Sequence, residues 1–373
     1  MKIKFLSSLF FVTCLVGCGG NSVPVVYHNG TYQNSVTVLN GSSVYRGEVP
    51  DPTIVRGDDG LFYVFATGGI MLKSEDACVF EVITRKVIDI PSWGDKIYPN
   101  HAGTFSLWAP DVIKIKDKWI YYYSLSTWGA SAGIGYAISD SAAGPYVDCG
   151  KLFSGEEIQI QNCIDSHVFV EDDGRVYMTM GSFQGLYTIE LTEDGIGLKN
   201  GLAYQRDNKV LIAGKPSKWD ESTYEGSYII KRNGYYYYFG SVGFCCNNED
   251  STYHVVVGRS KSITGPYVDA KGIPMTMAGN GNTVGELVLW AGASNDKPYA
   301  GVGHHSILMD DKGDDWIYYH AYDESDNFNL RRLYMDRLEW TRDGWPYVSY
   351  FDDGVESKFK PSYGIELEGP SLL

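Results

Sequence analysis

Short apolar strands separated by polar turns recur along the chain. Each repeat has a polar residue, an apolar strand, a turn with Gly or Asp, a Tyr-rich strand and a stop of small residues. Three of the five turns contain Asp-Gly or Asn-Gly, which is a strong signal for a β-hairpin. The pattern predicts five hairpins, at residues 50–68, 109–127, 164–182, 224–242 and 303–323.

A second pattern lies between some of these hairpins. Residues 134–150 and 255–272 both contain an apolar strand, a Ser-rich turn and then Gly-Pro-Tyr-Val-Asp. Two hairpins per repeat make a four-stranded antiparallel blade, so five repeats predict an all-β, five-bladed β-propeller around a central channel. A β-sandwich would not explain five equivalent hairpins, and a parallel α/β fold needs helical crossovers that the pattern lacks.

The polar residue at the start of each repeat gives the first chemical prediction. The innermost strand of every propeller blade lines the channel, so the residues that begin these strands should converge at one end of it. We expect a ring formed by Asp51, Asp111, Asp165, Glu225 and His304.

Composition supports the strand-rich fold and narrows the choice of partner. The chain has 43 Gly and 29 Tyr in 373 residues, as expected for many strands and turns. Its formal net charge of −15 argues against nucleic acid as a ligand, because phosphates require a basic surface. We therefore expect a substrate that is neutral or indifferent to charge.

The N-terminus has the pattern of an export signal. Lys2 and Lys4 precede an apolar run, and Cys18 follows it directly. The segment predicts a lipoprotein signal peptide over residues 1–17, acylation of Cys18, a tether over 18–42 and the propeller domain over 43–373. The protein would then be an exported bacterial lipoprotein of the outer membrane. The alternative is an ordinary secretory signal in which Cys18 is incidental.

Five cysteines lie outside this segment: Cys78, Cys149, Cys163, Cys245 and Cys246. An odd number leaves at least one thiol free, and the spacings match no zinc site. The adjacent pair is interpreted as two cysteines at a strand end that face opposite sides, with a redox pair as the alternative.

The ring of acids points to one kind of chemistry. Carboxylates that share a confined cavity raise one another's pKa, so one of them keeps its proton. A protonated carboxyl group facing an ionised one is what glycoside hydrolysis needs. The alternative for each acid taken alone is a strand cap or a turn residue.

Several strings of residues resemble glycoside hydrolase family 43, and within it the arabinanases, over essentially the whole mature chain. The resemblance implies an inverting enzyme with Asp51 as the general base, Glu225 as the general acid and Asp165 as the residue that raises the pKa of the acid and orients it. Ser166 and Ser227 depart from the prolines that the family often has. The strings are "VPDP", "LWAPDV", "CIDSHVFVEDDGRVYMTMGS", "YEGSYIIKRNGYYYYFGS", "CCNNEDSTYHVVVGRS", "GVGHHS", "YYHAYD" and "DGWP".

The resemblance also implies an ion. In the family a histidine at the position of His304 stands beside a bound ion, often calcium, held largely through waters. We therefore expect one calcium ion and no organic cofactor, with a hydrogen-bonding histidine and no ion as the alternative. The acidic run at 310–315 lacks the spacing of a calcium loop and is interpreted as a solvated turn.

Sugar binding should come from aromatic faces that stack on sugar rings. Trp108, three residues before Asp111, is the first choice, with Phe105 and Tyr224 as further candidates. Asp111 would either bind a sugar hydroxyl or cap its strand. Most tyrosines, including those at 235–238, are expected to pack between blades, and His320 is expected to be structural.

The predicted activity is endo-cleavage of α-1,5-linked L-arabinan by a monomer. Exo-cleavage, α-L-arabinofuranosidase and β-xylosidase activities remain open; β-xylosidases usually carry a further β-sandwich domain, and fewer than thirty residues follow "DGWP". Residues 275–300 are interpreted as a long loop that walls one end of the groove. A fructan hydrolase fits the acid motifs poorly. A glycan-binding propeller without catalysis should have lost one of the three carboxylates.

Overall fold

The computed structural model describes residues 32–33, 36–216, 219, 221–279, 281–291, 299–348 and 356–357. Within them, five sheets follow one another around a central channel as a five-bladed β-propeller. This confirms the predicted fold. The predicted signal peptide and Cys18 lie outside the described residues.

Each blade is an antiparallel sheet whose four strands run outward from the channel in chain order. All five predicted hairpins are present as the two inner strands of the blades. Blade 1 contains Thr53–Arg56, Phe62–Ala66, Ile70–Ser74 and Val79–Thr84; blade 2 Ser106–Ile115, Lys118–Thr127, Ala130–Ser139 and Val147–Ser154; blade 3 His167–Val170, Val176–Met180, Leu186–Leu191 and Val210–Ala213; blade 4 Glu225–Arg232, Tyr235–Val242, His254–Ser260 and Glu286–Trp290; and blade 5 Tyr299–Met309, Asp315–Asp323, Arg331–Trp340 and Pro346–Tyr347.

The segment before the first hairpin belongs partly to blade 1. Thr37–Asn40 pairs in parallel with Val79–Thr84, and Ser43–Val44 extends the same sheet. The backbone N–H of Val36 donates to the carbonyl of Leu333 in blade 5, at 2.9 Å. Residues 36–42, assigned to a tether by the sequence, are therefore part of the propeller, and the bond of Val36 joins blade 1 to blade 5.

The loop predicted at 275–300 is only partly a loop. Glu286–Trp290 pairs with His254–Ser260 and forms the outermost strand of blade 4. The second Gly-Pro-Tyr-Val-Asp echo supplies only single bridges through Val268. The extra length before this strand contains the 3₁₀ turn Met275–Met277. Residues 280 and 292–298 lie outside the described part of the chain.

Helices are short and lie between strands. Gly155–Ile158 begins with a capping box, because Ser154 accepts from the N–H of Glu157 while the carboxylate of Glu157 accepts from the N–H of Ser154. None of the helices in the described residues is long and apolar enough to cross a membrane. Besides Gly155–Ile158, the described residues form the α-helices Trp93–Ile97 and Leu202–Asn208. Further 3₁₀ turns lie at Pro99–His101, Asn248–Asp250 and Glu324–Asp326. A further pair of two-residue strands joins Tyr32–Gln33 to Glu356–Ser357.

The core consists of five apolar layers, one between each pair of neighbouring blades. Successive tyrosines of one strand enter different layers, because side chains alternate between the faces of a sheet. Tyr237 packs towards blade 5, whereas Tyr238 packs towards blade 3. The prediction that the run at 235–238 packs between blades is confirmed for these two residues.

Candidate functional site

One backbone position per blade defines a ring at one end of the channel. At this position φ is positive, between 39° and 58°, just before the first regular strand pairs. The five residues are Asp51, Ala109, Asp165, Gly226 and His304. Two members of the predicted ring are thus misplaced: Asp111 lies two residues after its position, and Glu225 lies one residue before. The sequence prediction followed the polar side chains, whereas the backbone sets the register.

Hydrogen bonds from blade to blade hold this unusual backbone. At four of the five positions, the backbone N–H of the ring residue donates to a side chain of the preceding blade, at 2.8–3.1 Å. This side chain belongs to the second strand of that blade or to the turn just after it. In the ring, Asp51 is held by His320, Ala109 by Thr67, Asp165 by Ser124 and His304 by Ser241. At the fifth position the N–H of Gly226 instead donates to Asp165 Oδ2, at 3.1 Å.

Asp51 is an ionised carboxylate. Thr67 donates to its Oδ2 at 2.5 Å, while Oδ1 lies 3.2 Å from His320 Nδ1, 3.4 Å from His304 Nδ1 and 3.6 Å from Arg331 Nη1. Burial alone would raise the pKa of Asp51, but His304, Arg331 and His320 together hold it well below its usual range. The group is therefore an acceptor for a proton.

Glu225 and Asp165 have the opposite tendency. Burial raises the pKa of Glu225 to about 7, and the charge of Asp51 adds to this effect, against the opposing hydroxyls of Ser182 and Tyr253. Ser182 donates to Glu225 Oε2 at 2.7 Å. Burial, then the carboxyl groups of Glu225 and Asp51, raise the pKa of Asp165 well above its usual value. The pair holds a proton near neutral pH beside an ionised Asp51.

Asp111 lies one layer below the ring and is 5% exposed. Thr53 donates to its Oδ1 at 3.2 Å, and the N–H of Val168 donates to its Oδ2 at 2.7 Å. His167 Nδ1 is 3.3 Å from Oδ2. Because both oxygens are engaged by blades 1 and 3, the structure favours the structural interpretation of Asp111 over sugar binding.

Exposed aromatic rings lie at the same end of the channel as the ring. At this end the first strand of each blade begins and the second strand ends. On blade 2, Trp108 is half-buried and packs edge to face on Trp128, which is 74% exposed. We call this pair the Trp108 face.

A second aromatic group lies over blades 3 and 4. Phe183 stacks on Trp219 with 4.9 Å between ring centroids and contacts Phe244, and both outer rings are about half exposed. Phe183 follows Ser182, and its N–H donates to the carbonyl of Tyr224, next to Glu225. We call these three residues the Trp219 face; it is tied to Glu225 through both chain segments.

Two predicted sugar-binding residues do not reach the surface. Phe105 is 4% exposed and packs between blades 1 and 2. Tyr224 is 1% exposed, and its hydroxyl donates to the carbonyl of Val284 and accepts from its N–H. Neither ring can stack on a sugar, so the prediction is wrong for these two.

The donor atoms around His304 do not fit a directly coordinated calcium ion. Its Nδ1 faces Asp51 and also lies 3.9 Å from Asp165 Oδ2. Over the part of the chain that the structure describes, no group of three or more His, Cys, Asp or Glu side chains could hold a metal. Of the predicted calcium ion, only a form held through water molecules is compatible with these side chains.

Sequence reasoning missed several residues of the site. His320, expected to be structural and at most to support the site, is fully buried against Asp51. Arg331, Thr67 and Ser182 carry no motif, but Thr67 and Ser182 end the Tyr-rich strands in the stop of small residues, which was an available signal. Trp128 directly follows the second strand of blade 2.

The cysteines also differ from expectation. Cys245 and Cys246 are joined to each other by a disulfide rather than facing apart. The bridge is possible because they lie in a loop after the second strand of blade 4, where the alternation of strand side chains no longer applies. Cys149 and Cys163 are free, which confirms the prediction of at least one free thiol.

The propeller and its carboxyl groups, one ionised and a pair that keeps a proton, define a glycoside hydrolase. The family model of glycosyl hydrolases family 43 matches residues 41–346. The chain belongs to this family.

Its relatives are similar over most of their length. The chain is 34% identical to the extracellular exo-α-(1→5)-L-arabinofuranosidase ArbA of Cellvibrio japonicus, over 81% of this chain and 86% of the relative. It is 31% identical to the extracellular endo-α-(1→5)-L-arabinanase 1 of Bacillus subtilis, over 79% and 86%. The structure of Cellvibrio cellulosa α-L-arabinanase complexed with arabinohexaose superposes with a TM-score of 0.72 at 31% identity, covering 83% of this chain and 99% of that one.

Proposed function

We propose that the protein hydrolyses α-1,5-linked L-arabinan with inversion at the anomeric carbon. The observation that carries the proposal is the contrast in protonation at one channel mouth. Asp51 is ionised, while burial raises the pKa of Glu225 to about 7 beside it. An inverting glycosidase needs this combination of base and acid.

The residues divide the reaction as follows. Asp51 takes a proton from a water molecule whose oxygen attacks the anomeric carbon. Glu225 gives its proton to the glycosidic oxygen as the bond to that carbon breaks. Asp165 is the partner carboxyl group with which Glu225 shares the buried proton, and we assign to it the tuning of the pKa of the acid; its bond to the N–H of Gly226 fixes the backbone next to the acid.

Arabinan as substrate is supported by the relatives. Two curated relatives are named for activity on α-(1→5)-L-arabinan linkages, and a solved neighbour binds arabinohexaose. The neutral sugar chain also suits a protein with a net charge of −15, since no anionic ligand is involved. Aromatic rings beside the carboxyl groups supply faces on which sugar rings stack.

Endo action is supported by aromatic faces on more than one side of the ring. The Trp108 face lies on blade 2, and the Trp219 face lies over blades 3 and 4. A chain that contacts both extends beyond the bond that is cut. Exo action is the second candidate, because the relative at 34% identity is named as an exo enzyme.

A product time course on linear debranched arabinan distinguishes these cases. Early products of mixed length, with a rapid fall in viscosity, support endo action. Release of arabinose or one short product from the start means exo action. If no arabinan is cleaved, the chain is a glycan-binding propeller and the proposed function fails. Proton NMR of the first product tests inversion: initial formation of the β-anomer is expected, and initial α-anomer contradicts it.

We also propose that the protein is exported as a lipoprotein acylated at Cys18 and acts as a monomer at the outer membrane. Export is supported by relatives named extracellular. Cys18→Ser should move the protein from the membrane fraction to the soluble fraction. Unchanged fractionation contradicts the anchor.

A calcium ion held through waters beside His304 stays a proposal. Binding to the folded state alone would raise Tm in proportion to the logarithm of the free calcium concentration. Chelator-treated protein should therefore gain Tm when calcium, but not potassium, is added. A constant Tm up to millimolar calcium excludes a stabilising site.

A further inference from the structure

Arg331 links the strand in which it lies to the segment that carries Asp51. It begins the third strand of blade 5, and its side chain is 15% exposed. Its carbonyl accepts from the N–H of Val49 at 2.9 Å, and its own N–H donates to Glu48 Oε1 at 3.3 Å. Its guanidinium Nη1 is 3.6 Å from Asp51 Oδ1. The arginine is thus bound to the chain on the N-terminal side of Asp51 as well as to its carboxylate.

Arg331 is the permanent charge among the three basic groups that face Asp51. Burial lowers the pKa of His320 to about 4, and burial also lowers the pKa of His304. Both imidazoles are therefore largely neutral near neutral pH. A guanidinium stays charged throughout this range.

The Cys245–Cys246 disulfide contacts the same guanidinium nitrogen that faces Asp51. Arg331 Nη1 lies 3.7 Å from Cys246 Sγ. The loop that carries the disulfide is closed by two bonds of Ser251, whose hydroxyl donates to the carbonyl of Cys245 at 2.9 Å and accepts from the N–H of Asn247 at 3.0 Å. The bridge therefore sits in an ordered turn rather than in an open loop.

The same loop leads to the acid. Two residues after Ser251, Tyr253 is buried beside Glu225, and its hydroxyl lacks a partner of good hydrogen-bond geometry among the described residues. Phe244, at the other end of the loop, belongs to the Trp219 face. The disulfide loop thus contacts the surroundings of both the proposed base and the proposed acid.

We propose that Arg331 is a positioning residue that keeps Asp51 ionised and oriented, and that the Cys245–Cys246 disulfide packs against the Arg331 guanidinium and holds it in place. The inference rests on the proposed function, in which Asp51 is the base. It assigns a role to the adjacent cysteines, which the catalytic chemistry itself does not use.

The charged and titratable groups that face Asp51 come from three blades. They are Asp165 on blade 3, Glu225 on blade 4, and His304, His320 and Arg331 on blade 5, while Glu48 pairs with Arg331. Arg331 favours the ionised form of both Asp51 and Glu225. Its loss should therefore move both limbs of the pH profile of kcat/KM to higher pH.

The first experiment compares Arg331→Gln and Arg331→Lys with Arg332→Gln. Arg332 is a matched control, because its side chain is 16% exposed and pairs with Asp323 and Asp326 away from Asp51. Arg331→Gln should move the acidic limb up by about 1–3 pH units, the range typical of a carboxylate beside an arginine. Arg331→Lys should restore part of the shift, and Arg332→Gln should lower Tm without moving either limb.

The contrary outcomes are distinct. A loss of kcat that is equal at every pH, or a rise in KM alone, means that Arg331 acts in packing or substrate binding, and overturns the proposal. A measurement of Tm, which does not depend on enzyme activity, separates this failure from failure of the proposed function. The Tm loss caused by Arg331→Gln should shrink in an Asp51→Asn background, because the two side chains interact; additive losses overturn the proposal even if arabinan is not the substrate.

The second experiment removes the disulfide. Cys245→Ser combined with Cys246→Ser should shift the acidic limb in the same direction as Arg331→Gln, by a smaller amount, while Cys149→Ser at an exposed free thiol should not. Treatment with dithiothreitol should reproduce the shift: two electrons and two protons pass to the bridge, giving two thiols, and the dithiol is oxidised to its cyclic disulfide. Peptide mapping of the untreated protein verifies that the disulfide is present. If neither limb of the pH profile shifts after either treatment, the disulfide does not hold the Arg331 guanidinium in place.

Discussion

At the scale of single residues, backbone geometry decides which side chains meet. Asp51, Asp165 and His304 adopt a left-handed φ that costs a non-glycine residue about 1–2 kcal/mol. Hydrogen bonds from the preceding blade hold each of them there. At Gly226 a Cβ would stand 3.2 Å from Ser241 Oγ and 3.3 Å from the His304 ring. Glycine therefore allows the close approach beside Glu225 that an alanine would disturb.

Replacement of the base tests the residue-scale interpretation most directly. Asp51→Asn keeps the shape of the side chain but removes the proton acceptor, so kcat on arabinan should fall by about 10²–10⁴-fold or more. Thermal unfolding should remain cooperative, because Thr67 and His320 retain partners. The measurement is kcat on purified, folded protein. Activity within tenfold of the wild type would remove Asp51 from the mechanism.

The raised pKa of Glu225 predicts a pH effect on activity. Since the acid must be protonated, kcat/KM should fall above pH about 7, where Glu225 loses its proton. Glu225→Gln should remove most activity on arabinan but much less on an aryl arabinofuranoside whose leaving group needs no proton. Equal losses on both substrates would contradict the role of acid.

The same group predicts an effect on stability. The pKa of Glu225 is about 7 when folded and near 4.5 when unfolded, so its contribution is fully present below pH about 4.5 and is lost as pH rises through 7. Glu225→Gln cannot ionise. Its Tm relative to the wild type should therefore be higher at pH 8 than at pH 5, and a difference that does not depend on pH would refute the raised pKa.

At the scale of elements, each Tyr-rich second strand contributes side chains to two apolar layers, one on each face of its blade. In blade 2, Tyr121 packs towards blade 1 and Tyr122 towards blade 3, and both are fully buried. Their hydroxyls differ. Tyr122 donates to the carbonyl of Gly195 at 2.7 Å, whereas the Tyr121 hydroxyl lacks a hydrogen-bond partner among the described residues.

These neighbouring tyrosines form a matched pair of variants. Tyr122→Phe should lower the free energy of unfolding by about 1 kcal/mol, because a buried hydrogen bond is lost. Tyr121→Phe should leave it unchanged or raise it by up to about 1 kcal/mol, because an unpaired buried hydroxyl is removed. Urea denaturation measures both. A larger loss for Tyr121→Phe would show that its hydroxyl is satisfied in solution.

At the scale of the whole molecule, the ring closes so that five distant segments meet at one mouth. The Trp108 face and the Trp219 face belong to different blades, yet both stand where first strands begin and second strands end. A sugar chain bound across this mouth contacts residues from several blades at once. Its length preference is therefore a property of the assembled propeller.

The Trp219 face should matter for long substrates. Because Phe183 and Trp219 adjoin the segments that hold Glu225, we expect them to contact the leaving part of a bound sugar chain. Trp219→Ala should raise KM for arabino-oligosaccharides by about tenfold, the loss of one stacking contact of about 1.4 kcal/mol, with little change on an aryl arabinofuranoside. Tyr204→Ala, at a half-exposed ring outside both aromatic faces, is the control. Equal effects of the two variants would remove the face from substrate binding.

The sequence by itself determined the blades and the identity of the acids. Strand and turn patterns are local, so five hairpins and the alternating tyrosines could be predicted from residues a few positions apart. The order of the motifs also identified Asp51, Asp165 and Glu225 as the carboxyl groups of interest, and the structure brings these three together.

Only the tertiary structure decided the register of the ring and the surroundings of Asp51. Asp111 was placed in the ring by its polar side chain, yet Ala109 has the equivalent backbone, and Asp111 bonds blades 1 and 3 one layer below. Arg331 and the Cys245–Cys246 disulfide stand 280 and about 195 residues along the chain from Asp51. Local patterns do not report contacts over such separations, because ring closure and the packing of blade against blade create them.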